Sequence, residues 1–109
     1  MPVLLAVALL AGGLHGTVTR GPTTPVCRVG LPCSEPAAGA VLVFEREHHA
    51  AARVRVDARG HYSVKLAPGS YAVLVAPRRR LGSRIAPRTV RVVAGRMRRV
   101  DFSIDTGIR

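Results

Sequence analysis

The sequence predicts an all-β domain, an antiparallel β-sandwich of about seven short strands. Its apolar residues recur mostly with the period of two that is typical of half-buried strands, and no segment keeps the helical period of 3.6. The connections between these segments are too short for crossover helices, so neighbouring strands are expected to be antiparallel. A chain of 109 residues has room for one such domain.

The first thirteen residues form an apolar segment that we expect to act as a signal peptide, followed by a single folded domain over residues 14–109. Residues 1–11 are too few to span a bilayer and match the length of a signal-peptide apolar region. No Lys or Arg precedes them, and a buried first strand is the alternative. Residues 10–13 are similar to a bacterial lipobox with glycine in place of the lipidated cysteine, which favours a soluble secreted protein.

Residues 21–39 form a loop rich in proline that carries both cysteines. Its prolines exclude helix and stiffen the chain; they are Pro22, Pro25, Pro32 and Pro36. Cys27 and Cys33 lie six positions apart, and a disulfide within the loop is the simplest pairing, worth about 2 kcal/mol on the loop-entropy argument. A metal pair and a redox couple are the alternatives, but zinc needs four ligands and the C-x2-C spacing is absent.

The predicted strands follow in order along the chain. They are residues 14–19, 40–45, 52–56, 62–66, 71–76, 89–93 and 99–104. The second is apolar on both sides and should lie centrally, paired through a charged tip at residues 46–49 with the third, where Val54 and Val56 face the core. Residues 78–87 are predicted to be a long basic loop.

Two differently built turns connect the strands within residues 56–73. Asp57 and Gly60 bound the first turn, and Pro68-Gly69 supplies a fixed φ followed by a residue that tolerates positive φ, as a type II turn requires. Tyr71, just after this turn, can bury its ring while its hydroxyl bonds to a loop carbonyl. We therefore interpret these residues as structural.

This segment resembles the signature of carboxypeptidase regulatory-like domains, the transthyretin-like or prealbumin-like sandwiches of immunoglobulin-like build. In that family a D-x-x-G-x-[FY] turn leads through a strand to L-x-P-G-x-Y, which residues 57–62 and 66–71 match. The resemblance extends over residues 14–104, although only residues 56–73 carry its specific part. It implies a small secreted bacterial domain that binds, spaces or braces, with Gly60, Pro68, Gly69 and Tyr71 as structural residues.

Several patterns suggest catalysis only superficially. Asp105-Thr106-Gly107 matches the triplet of aspartic proteases, but no second element is present to hold a carboxylate pair. Acidic and histidine side chains crowd the predicted tip at residues 45–49, where adjacent histidines on a strand point to opposite sides. We predict no enzyme activity, no metal site and no cofactor.

The net charge is the one feature that could carry function directly. Seventeen basic residues oppose six acidic ones, which leaves a formal charge of +11. The candidate anion-binding residues are Arg78, Arg79, Arg80, Arg84 and Arg88. Guanidinium groups bind phosphate and carboxylate bidentately, so envelope polymers, phospholipid headgroups and extracellular nucleic acid are candidate partners. The alternative is that arginine reflects genomic base composition and solubility.

The sequence thus predicts a secreted, non-catalytic binding or structural module of the bacterial cell envelope. A cationic adaptor that docks to anionic surface polymers through the arginine-rich loop is the alternative. The partner is an unidentified protein or an anionic envelope polymer, and sequence-specific nucleic-acid recognition is not indicated, because the chain has only four aromatic residues. Exposed sheet edges permit a monomer or a weak edge-paired oligomer.

Overall fold

The computed structural model describes residues 11–76 and 84–106. These residues form the following strands: β1 (Gly12–Gly21), β2 (Glu35–Pro36), β3 (Val41–Arg46), β4 (His49–Arg55), β5 (His61–Leu66), β6 (Gly69–Ala76), β7 (Arg84–Ala86), β8 (Thr89–Val92), β9 (Met97–Arg99) and β10 (Phe102–Asp105). Within the same residues there is no helix long and apolar enough to cross a membrane. The predicted signal peptide lies outside the described part except for its last residues, of which Gly12 and Gly13 already belong to β1.

The strands form two sheets that pack face to face. One has the order β2-β1-β10-β7, with β5 and β9 also paired to β1, and the other has the order β4-β3-β6-β8. The strand β3 is central, and its consecutive residues Leu42, Val43 and Phe44 are all buried. The predicted all-β sandwich is therefore confirmed.

The first strand holds the fold together because it pairs with four others. Its first half is antiparallel to β5, whereas its second half runs parallel to β10, with Val18 opposite Phe102. Residues 13–15 also run parallel to β9. The expectation of antiparallel neighbours holds for most pairs but is wrong for these two. The parallel partners lie at opposite ends of the chain, so no short connection between them could reveal their direction.

The core consists of aliphatic side chains and four aromatic ones, three of which have their rings in contact. Phe44, Tyr62 and Phe102 meet with ring centroids 5.4–6.5 Å apart, in tilted and edge-on arrangements that suit aromatic pairs. Leu14 and Val18 of β1 are fully buried against them. Apart from the two tyrosines of the core, whose hydroxyls are hydrogen-bonded, no polar or charged side chain among the described residues is buried. The interior is thus built for packing.

Three segments differ from the predicted elements. One is the two-residue strand β2, which pairs with β1 inside the segment predicted as a proline-rich loop. Part of the predicted basic loop is the strand β7, whose middle residue Ile85 is buried opposite Ile104 of β10. Three residues between charged and proline-containing flanks are too few to show an alternating pattern, which explains the error. The predicted last strand is two strands, β9 and β10, with a break where the Val100 N–H donates to the His15 carbonyl at 2.8 Å.

The charged tip is a two-residue turn. Glu47 and His48 have φ values of 53° and 67°, and positive φ at both central positions is the mark of a type I′ hairpin turn. Consequently both strands continue up to the turn: β3 ends one residue later than predicted, and β4 begins three residues earlier than predicted.

Candidate functional site

The proline-rich loop between β1 and β2 is closed by a disulfide between Cys27 and Cys33, the pairing expected from the sequence. The Cα atoms of the two cysteines are 5.5 Å apart. At the base of the loop the Thr23 N–H donates to the Cys33 carbonyl at 2.9 Å, and the Thr106 hydroxyl donates to the Pro22 carbonyl at 2.8 Å. The loop is therefore fastened both to itself and to the end of β10.

The tip of this loop is apolar and exposed. Val26, Val29 and Leu31 keep 71%, 105% and 61% of their surface accessible. A tight turn forms the tip, since the Leu31 N–H donates to the Arg28 carbonyl at 3.2 Å. The sequence analysis missed this cluster. The sequence did contain a signal for it. The aliphatic residues of this segment follow neither the strand nor the helix period and stand among proline, glycine and cysteine, a pattern that argues against positions in the core.

Of the predicted anion-binding residues, the structure describes Arg84 and Arg88, while Arg78, Arg79 and Arg80 lie outside the described residues. Arg84 begins β7, and Arg88 lies in the turn between β7 and β8. Both residues border an open groove of about 570 Å³ between the disulfide loop and strands β7 and β10. They also border a second groove of about 410 Å³ that runs along β6.

The first groove combines an apolar surface with charged groups at its wall. Pro22, Ile85, Ile104 and the disulfide provide the apolar surface. Besides the two arginines, the wall carries Asp105, whose backbone lies opposite that of Arg84 where β10 pairs with β7. A groove with two guanidinium groups can hold an anion, and the carboxylate limits how much negative charge it tolerates. The arrangement suits binding rather than chemistry.

The first predicted turn is stabilised by an aspartate. One carboxylate oxygen of Asp57 accepts hydrogen bonds from the His61 N–H at 2.8 Å and the Arg59 N–H at 2.9 Å. Both hydrogen bonds lower the pKa of Asp57, and the bond from the His61 N–H has the larger effect. Gly60 has a φ of 87°, and a Cβ there would lie 3.0 Å from the Val18 carbonyl.

The second predicted turn is tied to the hairpin by an arginine. The Tyr71 hydroxyl donates to the Ala67 carbonyl at 2.6 Å, as predicted. Gly69 has the expected positive φ, but its value of 146° lies far from the value of about 80° in a type II turn, and Gly69 is already the first residue of β6, so the predicted turn type is wrong. The Arg46 guanidinium lies over the Tyr71 ring, 5.8 Å from its centroid, and donates to the Pro68 carbonyl at 3.2 Å. The contacts of these residues are with the protein itself, as expected of structural positions.

A further aspartate, which the sequence analysis did not single out, connects β1 to the break between β9 and β10. A carboxylate oxygen of Asp101 accepts hydrogen bonds from the Thr17 N–H at 2.9 Å and from Arg99 Nε at 3.3 Å, and the bond from Thr17 does most to lower its pKa. Beside it the Tyr62 hydroxyl donates to the Val100 carbonyl at 2.5 Å, and burial raises the pKa of that hydroxyl. Nothing in the sequence pattern distinguishes this aspartate from a solvated one.

The side chains considered for catalysis or metal binding remain scattered. Glu45, Glu47 and His48 surround the hairpin turn, where they line a small surface depression with Arg46. Across residues 11–76 and 84–106, no three or more histidine, cysteine or acidic side chains come together in a way that could hold a metal ion. Asp105 ends β10, and Gly107 of its triplet is outside the described residues.

Solved structures with the same fold include two proteins of Gram-positive bacteria. The TIE protein of Bacillus anthracis has a TM-score of 0.56 over 87% of this chain, with 16% identity. GBS52, the minor pilin of Streptococcus agalactiae, has a TM-score of 0.56 over 89% of this chain, with 15% identity. The chain spans 16% of the first protein and 45% of the second. Neither a family model nor a curated protein matches the sequence.

At this level of identity the likeness shows a shared β-sandwich fold and nothing about function. The resemblance to carboxypeptidase regulatory-like domains is not confirmed by these comparisons, and it stays a prediction based on residues 56–73.

Proposed function

We propose that this protein is a secreted, non-catalytic structural or binding module of the bacterial cell envelope. The observation that carries the proposal is the make-up of the sandwich: no charged side chain of the described residues is buried, and the hydroxyls of the two buried tyrosines are bonded to backbone carbonyls. Enzymes need ionisable groups whose pKa values are tuned for chemistry, usually in a cleft. Asp57 and Asp101 have lowered pKa values because their carboxylates accept hydrogen bonds from backbone N–H groups. These two groups therefore stabilise turns and strand ends of the fold.

Two further observations support an extracytoplasmic role. A disulfide such as Cys27–Cys33 persists in oxidising compartments outside the cytoplasm. The same sandwich also occurs in a minor pilin and in the TIE protein, where it accounts for only part of a longer chain. A domain of this kind is therefore suited to spacing or joining other parts of a surface assembly.

The second candidate function, a cationic adaptor for anionic surface polymers, is favoured by the position of Arg84 and Arg88. Both border the groove beside the disulfide loop, and the formal charge of +11 adds a long-range attraction for polyanions. Arg78, Arg79 and Arg80 precede them in the sequence and would add to the same charge.

Retention of the protein on isolated envelope material across a salt series separates the two functions. For a structural module held by a protein partner, we expect retention that resists moderate salt and that is unchanged when Arg78, Arg79 and Arg80 are all replaced by Ala. Release at moderate salt, together with loss of binding in the triple variant, would establish the adaptor instead. A matched variant, in which the exposed Arg53 and Arg55 of β4 and Arg91 of β8 are all replaced by Ala, removes the same three charges and controls for net charge. Absence of retention at every salt concentration would contradict both functions.

A further inference from the structure

The exposed apolar surface of this protein is concentrated at one point. Of the four large apolar side chains that stand out as exposed in the described residues, three lie at the tip of the disulfide loop: Val26, Val29 and Leu31. The fourth, Met97, lies in β9. A cluster of exposed aliphatic side chains on a soluble protein usually marks a surface that another phase or molecule covers.

The loop holds this cluster outward instead of allowing it to fold back. The disulfide and the turn bond from the Leu31 N–H to the Arg28 carbonyl restrain the tip on both sides. The strand registers also place the loop at one end of the sandwich, because it follows Gly21, the last residue of β1, which lies opposite Asp105. The turn at residues 94–95 lies at the other end, beside the start of β1, where the Gly95 N–H donates to the Ala11 carbonyl. A restrained tip loses little conformational freedom on binding.

Part of the backbone of the tip already has hydrogen-bond partners within the loop. Hydrocarbon penalises every backbone group that has no hydrogen-bond partner. The Arg28 carbonyl accepts the turn bond, and the Val26 carbonyl accepts a bond from the Thr24 hydroxyl at 2.7 Å. Pro25 and Pro32 have no N–H to satisfy.

The charge around the tip matches an anionic surface. Residues 21–34 contain no acidic residue, and Arg28 is exposed between the apolar side chains. The next acid, Glu35, is already paired with Arg20 at 3.0 Å. An exposed arginine among aliphatic side chains can direct its guanidinium to headgroups while its stem lies along the hydrocarbon.

We propose that the disulfide loop docks on an anionic lipid bilayer, with Val26, Val29 and Leu31 entering the interface and Arg28 binding the headgroup phosphates. A bilayer is favoured over a protein partner because the exposed apolar side chains of the tip are all aliphatic, without the aromatic anchors that dominate protein interfaces. Aliphatic side chains need no shaped pocket in lipid, and juxtamembrane cations add electrostatic attraction. This inference goes beyond the structural or adaptor role, since it concerns a different surface.

Flotation of the full chain with vesicles provides the first test. We expect binding to phosphatidylcholine vesicles that contain phosphatidylglycerol and much weaker binding to phosphatidylcholine alone. The variant Val29→Ser with Leu31→Ser should lower the partition coefficient by about a hundredfold, because each Val or Leu side chain that no longer enters the interface accounts for about a factor of ten. Both side chains are exposed, so folding should be unaffected. The apolar residues 1–11 are common to all variants and cancel in the comparison.

A charge-matched pair separates docking by the tip from general attraction. Arg28→Gln and Arg96→Gln remove the same charge, one at the tip and the other beside the turn at the opposite end of the sandwich. We expect Arg28→Gln to weaken vesicle binding clearly more than Arg96→Gln. Equal effects of the two substitutions would overturn the proposal and leave only general attraction between a basic protein and an anionic surface.

A single tryptophan reports insertion directly, because the chain has none of its own. With anionic vesicles, the emission of Val29→Trp should shift to the blue and be quenched by brominated lipid, while that of Ala94→Trp at the opposite end should not change. Any one of three results would refute bilayer docking. They are unshifted emission from Val29→Trp, absence of wild-type binding to anionic vesicles, and full binding by the double serine variant. A tip that binds a protein and not a bilayer would give the first two of these results.

Discussion

Replacing Gly16 by alanine tests how the first strand is joined to the end of the chain. A Cβ at this position would collide with the Val100 carbonyl and would lie 2.7 Å from a carboxylate oxygen of Asp101, and the φ of Gly16 is 158°. The Val100 carbonyl is the acceptor for the buried Tyr62 hydroxyl. Alanine must therefore displace backbone, and it must also break or lengthen the bond to Tyr62.

The cost follows from these two contributions. Forcing an extra methyl group into a packed site costs roughly 1–3 kcal/mol, and leaving a half-buried hydroxyl without its acceptor costs roughly 1–3 kcal/mol more. We expect the free energy of unfolding to fall by about 4 kcal/mol, against a total of roughly 5–15 kcal/mol for a small domain. Gly39→Ala is the matched control, because Gly39 has a φ of 80° and no atom lies within 4 Å of a Cβ there. It should cost only about 1 kcal/mol of backbone strain.

Urea unfolding followed by circular dichroism measures both variants. A loss for Gly16→Ala that equals the loss for Gly39→Ala would refute the steric argument. The Tyr62→Phe substitution adds a second check. It should cost about 1 kcal/mol in the wild-type protein but raise the stability of the Gly16→Ala variant, because it removes a hydroxyl that has already lost the Val100 carbonyl.

Three further predictions concern the turns and the loop. Tyr71→Phe should lower the free energy of unfolding by about 1 kcal/mol, because the hydroxyl loses its bond to a loop carbonyl, and urea unfolding measures it. Replacing Cys27 and Cys33 by serine should lower it by about 2 kcal/mol, and a reductant should have no added effect on that variant. The pKa values of Asp57 and Asp101 are lowered in the folded state, so their stabilising effect is present above the unfolded value of about 3.9 and is lost as the pH falls through the folded values. Urea midpoints should therefore drop below about pH 4, and this drop should be smaller when both aspartates are replaced by asparagine; an unchanged pH profile would contradict the assignment.

Much of the sandwich could be predicted because its signals are local. The alternation at Val54 and Val56 needs only neighbouring residues to indicate a strand, and the predicted strands overlap the observed ones along most of the chain. The prediction failed where local sequence is ambiguous. Arg84–Ala86 is too short to show a period, and its pairing with β10 depends on where the opposite end of the chain lies.

The candidate sites divide in the same way. The disulfide could be predicted, since two cysteines separated by a short stiff loop have few other choices. The exposure of Val29 could not, because an aliphatic residue carries no local sign of whether a neighbouring element covers it. The sequence analysis chose the arginines of residues 78–88 because they are close together in the sequence. Of these, Arg84 and Arg88 border a groove whose walls come from four separate segments of the chain, and the spacing of residues along the sequence cannot reveal such a groove.

The sequence by itself determined that the chain forms short strands joined by turns at Asp57–Gly60 and Pro68-Gly69, because side-chain alternation and the φ preferences of Pro and Gly act between neighbouring residues. Only the tertiary structure decided that β1 runs parallel to β9 and β10, that Asp101 accepts a bond from Thr17, and that the tip of the disulfide loop stands free. These features depend on contacts between residues far apart in the chain, and their free energy arises only when the two sheets pack together.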